Sequence, residues 1–172
     1  MKASNFVLLE PVANQSKIYL MDGRWVAPEM VDYCNERNYD WIGLLQADRE
    51  IELYRLSLPR VKRLKPQKSC NLAISDLVKL TCQAPYQDID VSQHKYWSYT
   101  CSLQVAGFGK VRFVVYFNNP QKKGSFITFV TNRLDWSASK ILQHWMQHHA
   151  APTFKSSQTV VKMPQLGGLQ AV

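Results

Sequence analysis

KIYLMDGRWVAPEMVDYCNERNYDWIGLLQA, residues 17–47, is the stretch on which the fold turns. Lys17 to Met21 is a short apolar run with strand formers, and Asp22-Gly23 closes it with a turn signal. Pro28 suits the first turn of a helix, where no backbone N–H is needed, and Met30, Val31, Tyr33 and Cys34 then supply an apolar stripe through about Arg37. Asn38 ends that helix. Trp41 to Ala47 is a second apolar strand, so the unit is strand, helix, strand, the grammar of an α/β core.

Ile51 to Leu56 alternates as a third strand. From Pro59 to Lys68 the composition turns basic, with Arg60, Lys62, Arg63, Lys65 and Lys68 between two prolines, which reads as a loop or an extended edge. A helix capped by Ser75 is expected to run to Cys82, followed by a loop rich in Pro, Gln and Asp. Tyr96 to Val105, Val111 to Phe117 and Phe126 to Thr131 are dense in β-branched and aromatic residues and read as strands. AGFGK, residues 106–110, fits a hairpin connection, and NNPQKKG, residues 118–124, a longer one. Ser137 caps a helix from Ala138 to about His149 that turns Ile141, Leu142 and Trp145 inward. After Pro152 the periodicity dissolves and little order is expected.

The chain has 172 residues, 46% of them hydrophobic, which allows one domain with a respectable core. A formal net charge of +8 favours a polyanionic partner, because clustered cations gain affinity by displacing counterions from phosphates. The four cysteines, Cys34, Cys70, Cys82 and Cys101, are far apart and show no zinc-ligand spacing, so they read as reduced thiols. No run is long enough for a signal segment or a membrane span, and a cytoplasmic chain is expected.

Asp22 follows a buried strand directly, and a carboxylate there projects into the crevice where α/β sheets place ligands. As a turn residue before Gly23 it also needs no function. His144 and His148 are four apart and share a helix face, as zinc pairs do, yet no third ligand accompanies them and His149 lies on another line. Histidines at a helix end also serve simply to offset the dipole. The cations from Arg60 to Lys68 suit a phosphate backbone, with Tyr54, Tyr86, Tyr96 and Trp97 as stacking surfaces, or else form a solvated loop. Gly107 and Gly109 lack the helix and the spacing of a phosphate loop.

Three stretches in order, Tyr19 to Ile51, YWSYTCSLQVAGFGKVRFVVYF at 96–117 and FVTNRLDWSASKIL at 129–142, resemble the DDE transposase domain of IS4/IS701-type insertion-sequence elements. In that family a strand delivers an Asp followed by a D-x-W-Y-like pattern and a helix. A W-I-G-x-L-K-x-N-R-like strand and a β-rich insertion come next, and T-N-x-x-x-W-S-A-x-x-I-L opens the helix bearing the catalytic Glu. The resemblance spans residues 17–149 and implies an RNase H-like core, Mg²⁺-dependent cutting and joining of DNA, element ends as partner, and a prokaryotic cell. Three carboxylates are needed there because two Mg²⁺ ions, about 4 Å apart, activate the attacking oxygen and stabilise the leaving one. Magnesium takes oxygen ligands, hence acids rather than His or Cys.

On this resemblance Asp22 is the second Asp. The first Asp is absent, since Glu10 is the sole acid before Asp22. In the last helix Trp145 stands for the family's Tyr, His148 for its Arg, His149 for its Trp, Ala151 for its Ile and Pro152 for its Glu. Phe154 matches, and the expected Lys falls on Thr159. Pro152 supplies no metal-binding oxygen and would break the helix, at a cost of about 3 kcal/mol in an interior.

The expected fold is therefore α/β. A partial RNase H-like core at 17–57, with its first strands missing, follows an N-terminal segment at 1–16. A basic loop and β-rich insertion occupy 58–131, a C-terminal core helix 132–151 and an irregular tail 152–172. The expected function is that of an inactive transposase-derived fragment with an incomplete metal site at Asp22 and no tightly bound Mg²⁺. The alternative is a non-catalytic nucleic-acid-binding module using Arg60, Lys62, Arg63, Lys65 and Lys68. Missing strands would expose the apolar faces of KIYLM and WIGLLQA and promote self-association.

Overall fold

The computed structural model describes residues 18–54, 58–59, 69–148 and 170–171. Strand β1 (Ile18–Asp22), a 3₁₀ turn at Gly23–Trp25, helix α1 (Pro28–Glu36) and strand β2 (Asp40–Leu45) come in the order read from the opening stretch. β1 and β2 pair in parallel, from Ile18 opposite Asp40 to Asp22 opposite Leu44, and α1 is the crossover that parallel pairing requires. Asn38 stops α1 in the left-handed region, at φ 54°, with its N–H on the Asn35 carbonyl and the Tyr39 N–H on the Cys34 carbonyl. That bonding closes a Schellman motif, in which Asn tolerates the conformation better than most residues.

Strands β3 (Glu50–Tyr54), β4 (Ser69–Ala73), β5 (Gln87–Val91), β6 (His94–Val105), β7 (Gly109–Phe117) and β8 (Phe126–Thr131) are antiparallel to their neighbours. A two-residue β9 (Gln170–Ala171) lies antiparallel to β1. All belong to one mixed sheet of order β4-β3-β6-β7-β8-β2-β1-β9, with β5 branching from the start of β6. The strands within residues 58–131, expected as an insertion, are thus continuous with the parallel pair through β8, which meets β2 at Ile42 opposite Thr131.

The sheet divides the core by alternation. On one face Tyr19, Met21, Trp41, Leu45, Phe113 and Val115 pack with Val31 and Cys34 of α1 and with Leu77 and Val78 of helix α2 (Ile74–Thr81). On the other, Ile18, Leu20, Ile42, Leu44, Tyr116 and Phe129 pack with Ile141, Leu142 and Trp145 of helix α3 (Ala138–His148). The fold is a mixed α/β layer structure with helices on both sides of a curled sheet.

Four expectations are corrected. The apolar faces of the first two strands are covered, with Ile18 the most exposed of its neighbours at 9%. Losing a neighbouring strand opens an edge, not a face. Ser75 is not the cap of α2: Ala73 is, without a side-chain bond, and the Ile74 and Ser75 amides donate instead to the carbonyls of Arg49 and Ala47. β5 replaces part of the loop expected after Cys82 and turns into β6 through Ser92 and Gln93 at φ 50° and 66°, the paired positive values of a type I′ turn. Gln170 and Ala171, expected to be irregular, form β9; the rest of the tail lies outside the described residues, as does the segment 1–16.

Candidate functional site

Asp22 closes β1 at the carboxyl end of the parallel pair, where β1 and β2 both stop and the chain leaves the sheet. Its neighbours fix the backbone. Gly23 adopts φ 37°, and a Cβ there would lie 2.9 Å from Gln46 Nε2, so glycine suits both the turn and the close approach. The half-buried Arg49 donates from Nη1 to the Gly23 carbonyl at 2.9 Å and lies over the Phe108 ring; burial pulls its pKa down. The Asp22 carboxylate itself is partly exposed and makes no hydrogen bond or ion pair with other described residues.

Asp22 shares the parity of Ile18 and Leu20, which face α3. The stretch TNRLDWSASK builds the junction that aims α3 across that face. Asn132 Oδ1 accepts the Trp41 N–H at 3.1 Å while its Nδ2 donates to the Tyr39 carbonyl at 2.9 Å and to Asn35 Oδ1 at 3.2 Å. Arg133 bridges the mostly buried Asp40 and the exposed Asp135, and its guanidinium holds the Asp135 carboxyl down to about 2. Ser137 caps α3, its Oγ accepting the Lys140 N–H at 3.2 Å. Trp136 is buried, with His144 stacked on it at 4.8 Å and Lys140 and Arg133 over its ring. Tyr116 donates its hydroxyl to the Ala138 carbonyl at 2.8 Å, and Trp145 rests on Phe129 at 4.8 Å. Phe129 is opposite Leu44, and Leu44 opposite Asp22, so the buried face of α3 sits over the ladder that ends at Asp22.

The other candidates separate from Asp22. His144 is engaged with Trp136, and burial first, then Lys140 and His148, lower its pKa; His148 is exposed at the end of α3. Arg60, Lys62, Arg63, Lys65 and Lys68 lie outside the described residues, as do His149 and Pro152. The strands flanking that basic stretch, β3 and β4, stand on the far side of the sheet order from β1. Tyr96 is buried, and Tyr86 packs between Tyr99 and Phe117 with its hydroxyl 2.7 Å from Thr81 Oγ1, so neither is a stacking surface. Tyr54, 44% exposed, keeps that potential, and Trp97 is half-buried.

Two features escaped sequence reading. Arg49 follows a strand in a polar turn and gives no local hint of its bond to Gly23. Asn132 and Arg133 had a signal, two polar residues between a strand and a helix cap, but not the identity of their distant partners.

A pair of magnesium ions needs several carboxylates, and among the described residues no group of three His, Cys, Asp or Glu side chains converges. Asp22 beside a carbonyl already holding a guanidinium does not fit such a centre. No described helix is long and apolar enough to cross a membrane. No family model matches the chain, and no curated protein matches it.

Proposed function

We propose that the chain is a transposase-derived protein with an RNase H-like core, whose DDE site is incomplete and which no longer cuts or joins DNA. The observation that carries this reading is the position of Asp22. It ends the first strand of a parallel pair, on the sheet face packed by α3, and among the described residues no group of three His, Cys, Asp or Glu side chains converges there. A strand-end Asp facing the helix that should carry the Glu is what the resemblance demands of its second acid. The sequence then offers Pro152 at the Glu position, which can neither ligate nor continue a helix.

The junction residues add support, because each matched letter of the T-N-x-x-x-W-S-A motif has a task in orienting α3. Thr131 accepts the Arg133 N–H, Asn132 clamps the start of β2, Trp136 and Ala138 are buried, and Ser137 caps the helix. A motif that holds a helix at a set angle outlasts the chemistry it once served. The basic stretch from Arg60 to Lys68 and the net charge of +8 favour retained affinity for DNA, in a module that binds without catalysing.

The test uses duplex DNA with the purified chain. No strand cutting is expected in Mg²⁺ or Mn²⁺, and cutting that disappears in Asp22→Ala would refute the loss of activity. Binding is expected to weaken steeply with salt, with a shallower slope when Arg60, Lys62, Arg63, Lys65 and Lys68 are replaced by Ala. Absence of binding at low ionic strength would remove DNA as the partner.

A further inference from the structure

The outer edge of β1 is an unusual one. Edge strands are ordinarily protected by charge, proline, a bulge or brevity, because their free N–H and C=O groups template further pairing. β1 has none of the first three before Asp22: Ile18, Tyr19, Leu20 and Met21 are apolar and buried on both faces, as in an interior strand. Its inner edge pairs with β2 through all five residues. Among the described residues, its outer edge pairs only with β9, through Tyr19 opposite Ala171 and Leu20 opposite Gln170.

The partner strand has a matching character. Residues 163–172, MPQLGGLQAV, carry no charged side chain in a chain of net charge +8, and their last four include no proline. Side chains without charge can pack beside a buried strand without desolvating an ion. Recognition of this kind depends on main-chain bonds.

We propose that the outer edge of β1 is a strand-docking site and that its occupant is the chain's own carboxyl-terminal strand, held by backbone pairing and exchangeable with an added peptide of the same sequence. This is independent of the ancestry argued above, since it needs only the β1 edge and β9.

The experiment is amide hydrogen exchange on the full-length chain and on Gln170→Pro/Ala171→Pro, which removes both donors, with Ala171→Pro alone as the milder variant. In the variants the β1 amides that do not face β2 are expected to exchange at least about tenfold faster, while β6 and β7 amides keep their rates. A synthetic peptide QLGGLQAV should restore slow exchange to the double variant, and the same peptide carrying both prolines should not. Unchanged β1 exchange in both variants, or equal restoration by the two peptides, would overturn the proposal. So would β1 protection in the wild-type chain that vanishes on dilution as a dimer dissociates, because a second copy would then hold the edge.

Discussion

Asn132 and Trp41 are 91 positions apart in the chain, yet the Asn132 side chain accepts the Trp41 backbone N–H at 3.1 Å and returns its own amide to the Tyr39 carbonyl. One side chain thus fastens the end of β8 to the start of β2 and to the turn after α1. Asn132→Ala strands these groups and is expected to cost about 1–3 kcal/mol. Asn132→Asp keeps the acceptor, loses the donors and sets a carboxylate against two oxygens, so it should be no better. Chemical denaturation of both variants checks this.

Gly43 has no room for a side chain. A Cβ would lie 2.8 and 2.9 Å from the two methyls of Val26 and 3.4 Å from Val130, so Gly43→Ala should cost about 1–3 kcal/mol by overpacking. In a Val26→Ala background the same change should be markedly cheaper. A double-mutant cycle measures the difference, and simple additivity would mean the clash is relieved elsewhere.

Asp135 gives a pH signature. Arg133 holds its carboxyl at about 2 against a usual 3.8, so the charged form is favoured by folding. The associated stabilisation is complete above the usual value and fades as pH falls toward 2. The melting-temperature advantage of the wild type over Asp135→Asn should therefore be present at pH 6 and vanish near pH 2. The pair is exposed, and 1 M salt should shrink the advantage at every pH.

Asp22 supports nothing structural that the described residues reveal. Asp22→Ala is expected to leave stability within about 0.5 kcal/mol, as for surface positions free of caps and ion pairs. A loss of several times that in urea unfolding would mean that the carboxylate is a fold determinant and not the remnant of a site.

Burial pushes the thiols of Cys34 and Cys101 up to about 12. Both should resist iodoacetamide at pH 8 in the native chain and react promptly in denaturant, when the thiolate becomes accessible. Peptide mapping by mass spectrometry reads the difference.

The β1-α1-β2 unit was legible because three local signals agreed: an apolar run before Asp22-Gly23, Pro28 at a helix start, and Asn38 at its end. The long hairpin of β6 and β7 was equally plain from its β-branched residues and the glycines between. β5 was hidden because Asp88 and Asp90 on its exposed face dilute the strand signal, and its turn uses Ser92 and Gln93 where glycine or asparagine would have announced it. The cap of α2 was misread since its amides are satisfied by the turn after β2, a tertiary arrangement that no local pattern encodes. Asp22 was found by its place at a strand end, whereas Arg49, which bonds the carbonyl of Gly23, required the fold.

The order of the strands has a consequence for synthesis on the ribosome. β1 and β2 precede the other described strands in the chain, but among the described residues the only antiparallel partner that ties them to the rest of the sheet is β8, which pairs Leu45 with Thr128. The β6-β7-β8 meander is local and can form as soon as it is made, while the parallel pair must wait for it, since non-local contacts follow loop closure. A nascent chain halted before Phe126 would carry β1 and β2 undocked from the rest of the sheet, and their residues are largely apolar. Chaperone dependence should therefore peak during the translation of β3 to β7 and fall once β8 has cleared the exit tunnel.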